Sequence, residues 1–330
     1  MKLQVTPARP ASAESAGVLL QLKNFPRAIG CDLGGTNLKL VRLGPSGLEA
    51  TSESPTPGPT TASAMIRAIT GQVKAMLPKS QGHWPLGIAV PGFLDESRER
   101  IVRLSNLPAL SGVALGHEVA RKLRRVGAIL DADTNAAAHA EATVGSGGGK
   151  GRVLYVTMGT GLGAALVVAG EIVRVSRHTV GQVAHLPLGE RGHRCYCGAV
   201  GCAETLLSAR GILLRARRSG IAKASSTLEL FELATRRGPR RARATRLWRE
   251  TGGVLGKLLQ ILAALFSPDR IVIGGGVAGA AELFLPDARA WLSRSLTPAL
   301  SPEVSVEAAA LGRFSGAIGA ALLAARVDRA

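Results

Sequence analysis

The chain is short of aromatic residues, cysteine and acidic charge, and each shortage excludes something. Phe, Trp and Tyr make up 3% of its 330 residues. A core must therefore be closed by small aliphatic side chains, and base-stacking platforms of interleaved aromatics are absent. Four cysteines, three of them within eight residues, cannot make a disulfide framework, so a reducing cytoplasm is the expected location. No apolar run reaches ~18 residues, so no membrane span is expected. Residues 17–20 are too short an apolar stretch for a signal-peptide core, and 1–26 read as an N-terminal extension. What remains is 46% hydrophobic, enough for a real core over two domains of ordinary size. The net charge of +18 suits anionic partners such as nucleotides or phosphorylated products. A dense arginine run at 236–246 adds to it and reads as a solvated helix face, so nucleic acid is not an expected partner.

The most specific stretch is 182–204. Cys195, Cys197 and Cys202 cluster there, with His185 ten residues before the first of them. Three thiolates and one imidazole are a standard closed shell for structural zinc. Gly198 and Gly201 let the chain double back so that the sulfurs face one point. Glu204, just past the last cysteine, is a carboxylate that a metal knuckle would hold rigidly, suited to gripping hydroxyls.

Two further stretches share a design. Residues 28–33 and 38–43 read as apolar strands around Gly34-Gly35-Thr36-Asn37, and 153–158 and 164–168 as strands around Gly159-Thr160-Gly161-Leu162-Gly163. Glycine-exposed backbone N–H groups beside a threonine hydroxyl form an anion cradle. Asp32, at the end of the first strand, is placed to hold magnesium directly or through water. The repetition suggests a duplicated α/β domain with two phosphate cradles facing each other across a cleft. Gly274-Gly275-Gly276 follow a third strand at 271–273 and would let an adenosine approach the backbone. Asp131 and Asp133 stand at a strand-to-helix junction, where parallel sheets keep their chemistry, or where one of them simply caps the helix. The loop at 145–151, with Lys150, fails the P-loop spacing and reads as a connector between domains. Helices are expected at 61–77, 113–126 and 316–327, with 208–266 helical in character.

Together these pieces resemble the ROK family of sugar kinases and sugar-responsive repressors, over about 27–325. The first phosphate motif is similar to 32–37, the second to 158–163, the adenosine motif to 274–277 and the zinc motif to Ala184-His185 with 195–204. The resemblance implies an actin-like ATPase fold of hexokinase type, two α/β domains with a cleft between them: a small one from 27–131 plus 312–330, and a large one from 132–311 carrying the zinc motif. It implies an ATP-dependent hexose kinase, glucokinase type by default, with structural zinc, magnesium brought with ATP, and a homodimer or homotetramer. Asp133 takes the place of the catalytic base. Asp32, Gly34, Gly35, Thr36, Asn37, Gly159, Thr160, Gly161, Gly163, Gly274, Gly275 and Gly276 take the ATP positions. Gly92, Asn106, Asp133, Gln182, His185 and Glu204 take the sugar positions. Two positions depart: Ala132 replaces an asparagine, and Gln182 replaces a glutamate. Those departures leave a kinase for an N-acylhexosamine such as N-acetylmannosamine, or for fructose, as the alternative, beside a non-catalytic sugar sensor. Family repressors carry a DNA-binding module ahead of the core, for which 26 residues are too few.

Overall fold

The structure is a computed structural model that describes residues 6–7, 25–58, 61–78, 82–104, 106–124, 127–149, 151–175, 179–189, 193–221, 224–295 and 304–327. Lys150, Val126 and most of the 1–26 extension lie outside the described residues. The chain forms two compact units. Unit 1 contains residues 1–150, 170–179 and 310–330, and unit 2 contains 151–169 and 180–309.

Unit 1 is built on β1 (Ala28–Leu33), β2 (Asn37–Gly44), β3 (Gly47–Pro55), β4 (Leu86–Val90) and β7 (Ala128–Ala132), with a small hairpin of β5 (Phe93–Leu94) and β6 (Ile101–Arg103). The main sheet runs in the order β3, β2, β1, β4, β7, and a two-residue strand at Thr6–Pro7 pairs on the outer side of β3. β2 is antiparallel to β1, whereas β4 is parallel to β1 and β7 parallel to β4. Strand alternation sorts the residues of β1. Ile29, Cys31 and Leu33 join a core with α1 (Ala62–Met76) and α2 (Leu115–Leu123). Ala28 faces the other way, into a core with α3 (Asp133–Val144) and α9 (Ser315–Val327).

That second face explains the small residues of α9. A Cβ on Gly30 would stand 1.8 Å from Ala317 O, and one on Gly87 1.9 Å from Ala320 O. A Cβ on Gly319 would stand 1.7 Å from Ala136 O of α3. Backbone thus touches backbone, and any larger side chain would force the layers apart. The same contact places α3 in unit 1, whereas the sequence reading set a boundary at 131/132. The glycine-rich connector is fastened at its start: Glu141, fully buried, accepts hydrogen bonds from Ser146 N (3.1 Å), Ala310 N (3.0 Å) and Leu311 N (2.9 Å). The helix expected at 113–126 is shorter, ending at Leu123 before Arg124, which has a positive φ of 56°.

Unit 2 repeats the plan. β8 (Arg152–Met158) and β9 (Leu162–Val168) form an antiparallel hairpin. β10 (Arg270–Gly274) lies parallel to β8, and β11 (Ser305–Ala308) parallel to β10. The order β9, β8, β10, β11 matches β2, β1, β4, β7 of unit 1 in sequence and sense. The helical region after 208 divides into α5 (Ala209–Arg218), α6 (Thr227–Thr235) and α7 (Arg241–Phe266), preceded by the short α4 (Ala203–Leu207). The breaks follow from capping. Ser208 Oγ accepts from Gly211 N, Ser226 Oγ accepts from Glu229 N, and the Glu229 carboxylate accepts in return from Ser225 N. α7 packs on α8 (Ala281–Ser295) through Gly252 and Gly256 and a stacked Trp248–Phe284 pair at 5.8 Å. The arginine run lies at the start of α7, where Arg246 pairs with Glu250 and Arg249 with Asp287. Arg241, Arg243 and Arg246 are exposed on that helix, whereas Arg236, Arg237 and Arg240 precede it, so the run is a solvated helix face only in its second half. No described helix is long and apolar enough to cross a membrane.

Candidate active site

The site residues of unit 1 collect at one end of its sheet. The turn between β1 and β2 is tightened by Gly34 N donating to Asn37 O at 3.0 Å. Thr56 braces it from β3's end: its Oγ1 donates to Gly34 O at 2.6 Å and its N donates to Thr36 O at 2.8 Å. The sequence reading missed Thr56, since nothing local links it to the turn. Gly35 and Thr36 are exposed. Asn37 already belongs to β2, and its Nδ2 donates to Glu53 Oε1 at 3.0 Å. Asn106 abuts the turn, with its Cβ 3.2 Å from where a Gly35 Cβ would be. Gly92 must be glycine, since a Cβ there would meet Arg103 O at 2.4 Å.

Asp32 ends β1 on the α9 face. Gly316, in the first turn of α9, comes so near that its Cβ would lie 3.0 Å from the Asp32 carboxylate. Lys39, opposite on β2, pairs with it at 3.7 Å, which assigns that lysine to the carboxylate. Burial pushes the Asp32 pKa up to about 6, with Lys39 opposing and the Asp133 charge adding to the rise.

The two aspartates after β7 differ completely. Asp131 is 2% exposed. Its Oδ1 accepts from Ala132 N (2.8 Å), Asn135 Nδ2 (3.0 Å) and Arg174 Nη1 (3.0 Å). Its Oδ2 accepts from Arg98 Nη1 at 3.2 Å and from Arg174 Nη2. Asp133 opens α3 and is partly buried. Its Oδ1 accepts from Thr134 N (2.6 Å) and Thr134 Oγ1 (3.1 Å), and among the described residues Thr134 is its only hydrogen-bond partner. Burial raises the Asp133 pKa, against the Thr134 hydrogen bonds and the Lys39 charge. Neither carboxylate caps the helix: the cap position is Ala132, which makes no side-chain capping bond. The capping alternative is thereby corrected. Arg98 and Arg174 carried no signal in the sequence, because their link to Asp131 spans 33 and 43 residues.

In unit 2 the turn after β8 is three residues long, with Gly159 N donating to Gly161 O at 2.9 Å. Gly163 lies within β9, opposite Thr157, rather than in the turn. β10 ends beside it: Gly275 has φ +82° and a Cβ there would meet Met158 O at 2.4 Å, while Gly276 is open. The two glycine turns thus share the ends of adjacent parallel strands. Glu204, on α4, reaches the first of them, accepting from Leu162 N at 3.3 Å and lying 3.2 Å from a Gly161 Cβ. Gln182 is exposed and precedes a single turn at Val183–His185.

His185, Cys195, Cys197 and Cys202 come together, all ligand atoms lying within 4.8 Å of one another. Cys195 Sγ is 3.5 Å from His185 Nδ1, and Cys197 Sγ is 3.6 Å from Cys202 Sγ. A tetrahedral zinc, with Zn–S ~2.3 Å and Zn–N ~2.0 Å, sets such edges near ~3.8 Å for S···S and ~3.5 Å for S···N. The residues fit that ion. The knuckle needs Gly201, whose φ is +78° and whose Cβ would fall 1.7 Å from Gly189 O. Tyr196, between two of the cysteines, completes the group with its Oη 3.0 Å from His185 Nε2. Cys31 stands apart, fully buried in β1, where burial pushes its thiol up and leaves it inert.

The pattern of the ROK family matches residues 28–327, with both glycine turns, Asp133 and the cysteine cluster inside the match. The chain belongs to the ROK family. Among its ROK relatives, a glucokinase of Streptomyces coelicolor is 29% identical over 321 residues, covering 91% of this chain and 98% of that one. An N-acetylmannosamine kinase of Salmonella arizonae is 29% identical over 294 residues, covering 89% and 96%. The crystal structure of a ROK glucokinase from Streptomyces griseus, in complex with glucose and AMPPNP, superposes with a TM-score of 0.77 at 28% identity, covering 91% of this chain and 99% of that one. The two matching α/β units are those of the actin-like, hexokinase-type ATPase fold.

Proposed function

We propose that the protein transfers the γ-phosphoryl group of ATP to a hydroxyl of a hexose, with glucose as the default acceptor. The observation that carries this reading is Asp133: a carboxylate at the mouth of a parallel sheet, with Oδ1 held by Thr134 and Oδ2 left for a ligand, in a chain similar to ROK glucokinases. Asp133 Oδ2 accepts the proton of the sugar hydroxyl as that oxygen attacks phosphorus, and the ADP leaving group departs in line. Burial strengthens this base by raising its pKa. The backbone of Gly35 and Thr36 in unit 1, and of Thr160 and Gly161 in unit 2, binds phosphate oxygens, while Gly34 and Gly159 use their N–H groups to close the two turns. Gly276 leaves room for the nucleoside, while Gly274 and Gly275 hold its turn close to the sheet, where a Cβ on them would lie 2.0 Å from Tyr155 Oη and 2.4 Å from Met158 O. Asp32 faces the magnesium that accompanies ATP, which neutralises phosphate charge. Gly92, Asn106, Gln182, His185 and Glu204 hold the sugar. Zinc on His185, Cys195, Cys197 and Cys202 is structural, because four protein ligands leave no open position. Its thiolates, and the free state of all four cysteines, suit a reducing cytoplasm.

A second acceptor class is favoured by a specific departure. Ala132 and Gln182 remove one amide and one negative charge from the positions the family uses for the sugar, and the chain is also similar to an N-acetylmannosamine kinase. The test is transfer of label from γ-labelled ATP to a panel of glucose, mannose, fructose, N-acetylglucosamine and N-acetylmannosamine, with zinc-loaded protein. Labelled sugar phosphate from at least one member is expected. No labelled sugar with any member overturns the kinase reading, and preference for an N-acylated sugar replaces glucose as its substrate.

A further inference from the structure

His185 has two ring nitrogens with different neighbours. Nδ1 faces the thiol cluster, 3.5 Å from Cys195 Sγ. Nε2 lies 3.0 Å from the Tyr196 hydroxyl. The two rings meet edge to face, with centroids 5.0 Å apart and planes at 78°. Tyr196 is 80% exposed, so turning its ring away sacrifices little packing. Its backbone is different: it stands between Cys195 and Cys197, in the tight turn that Gly198 N closes onto Cys195 O at 2.9 Å. The side chain is therefore an exposed hydroxyl on a fixed stalk.

A metal on Nδ1 leaves the ring proton on Nε2, which then needs an acceptor. The phenol oxygen supplies one, and a sugar hydroxyl supplies the same chemistry. The geometry points to Tyr196 as a determinant of sugar affinity: its hydroxyl occupies His185 Nε2 in the sugar-free protein, and the incoming sugar hydroxyl must displace it. This rests on the reading of His185 as a sugar-facing residue. Affinity is then reduced by the fraction of molecules in which Nε2 is free. The competition is set by one exposed side chain and involves neither the phosphate turns nor Asp133. It acts on binding of the sugar and leaves the transfer step alone.

The experiment compares the zinc-loaded full-length protein with Tyr196→Phe, which keeps the ring and its edge contact and removes only the hydroxyl. Glucose and N-acetylmannosamine are titrated by calorimetry without ATP, KM and kcat are measured for the sugar that binds, and zinc content is assayed on both proteins. Tyr196→Phe is expected to lower the sugar Kd and KM by about two- to fivefold, with kcat and zinc content unchanged. The His185 Nε2–H proton resonance should be protected from exchange in the wild type and lose that protection in the variant. A Kd that is unchanged or higher in the variant overturns the proposal while leaving the kinase reading intact. Loss of zinc from the variant also overturns it, by making Tyr196 an anchor of the metal ligand. Absence of hexose binding by the wild type overturns the kinase reading, and the proposal with it.

Discussion

In unit 1 the glycine turn is flanked by two carboxylates whose burial raises their pKa, Asp32 and Asp133, and by a lysine paired to one of them. In unit 2 the equivalent turn is flanked by Glu204, a second glycine turn and a cluster of one imidazole and three thiols. The strands around the two turns run in the same order and sense. A duplicated scaffold has thus been furnished twice: once with titrating groups suited to proton and phosphoryl transfer, once with rigid groups suited to grip. If that division is correct, loss of the Asp133 carboxylate of unit 1 should act on kcat, and loss of Glu204 or of the thiol cluster of unit 2 on KM or on folding.

The largest expected effect is that of Asp133→Asn. It should lower kcat by about a thousandfold or more, as expected for loss of a general base, while sugar KM and thermal stability stay near wild type. Glu204→Gln should do the reverse, raising sugar KM by about ten- to a hundredfold through a weakened hydroxyl contact, with a smaller change in kcat. Steady-state kinetics on the two variants check both, and equal kcat losses would erase the contrast. Metal removal comes next. Incubation with a strong zinc chelator, or Cys202→Ser, should lower the melting temperature, because a zinc shell supplies folding free energy that the metal-free ligands cannot replace. Calorimetric scans check this, and an unchanged transition would show the cluster to be dispensable.

A smaller effect concerns pH. Asp32 carries a raised folded pKa of about 6, so it is ionised above pH 6 and protonated below. On the role proposed for Asp32 opposite magnesium, ATP binding needs the ionised form, and kcat/KM for ATP should therefore fall as pH drops through about 6. Its contribution to stability runs the other way. The folded state takes up this proton more readily than the unfolded chain, so Asp32 adds stability as pH falls from about 6 toward 4. A flat kcat/KM profile between pH 5 and 7 contradicts the first statement. The second is checked by Asp32→Asn, which should remove part of the pH dependence of the melting temperature in that window.

Much of this was legible in the residues. Two apolar strands around Gly-Gly-Thr-Asn, and again around Gly-Thr-Gly, announce their hairpins by local alternation and turn chemistry alone. Cys195, Cys197, Cys202 and His185 announce a metal shell by donor type and spacing. What stayed hidden depends on partners distant along the chain. Arg174 neutralises Asp131 from 43 residues away. Glu141 fastens Leu311 from 170 residues away. Glu204 meets the glycine turn after β8 through Leu162, 42 residues earlier. The place of α3 in unit 1 was missed for the same reason: the fit of Gly319 against Ala136 leaves only a small-residue bias in each helix. Whether Asp131 or Asp133 is the free carboxylate is likewise invisible in a stretch that reads Asp-Ala-Asp.

That last pair offers the sharpest test. Sugar phosphate formed in a single turnover should be measured, by quenched reaction with γ-labelled ATP, for Asp131→Asn and Asp133→Asn side by side. The account predicts a loss of about a thousandfold for Asp133→Asn, and no more than about tenfold for Asp131→Asn, whose carboxylate is engaged by Arg98 and Arg174. Transfer by Asp133→Asn at the rate of the wild type, or a greater loss in Asp131→Asn, would contradict it.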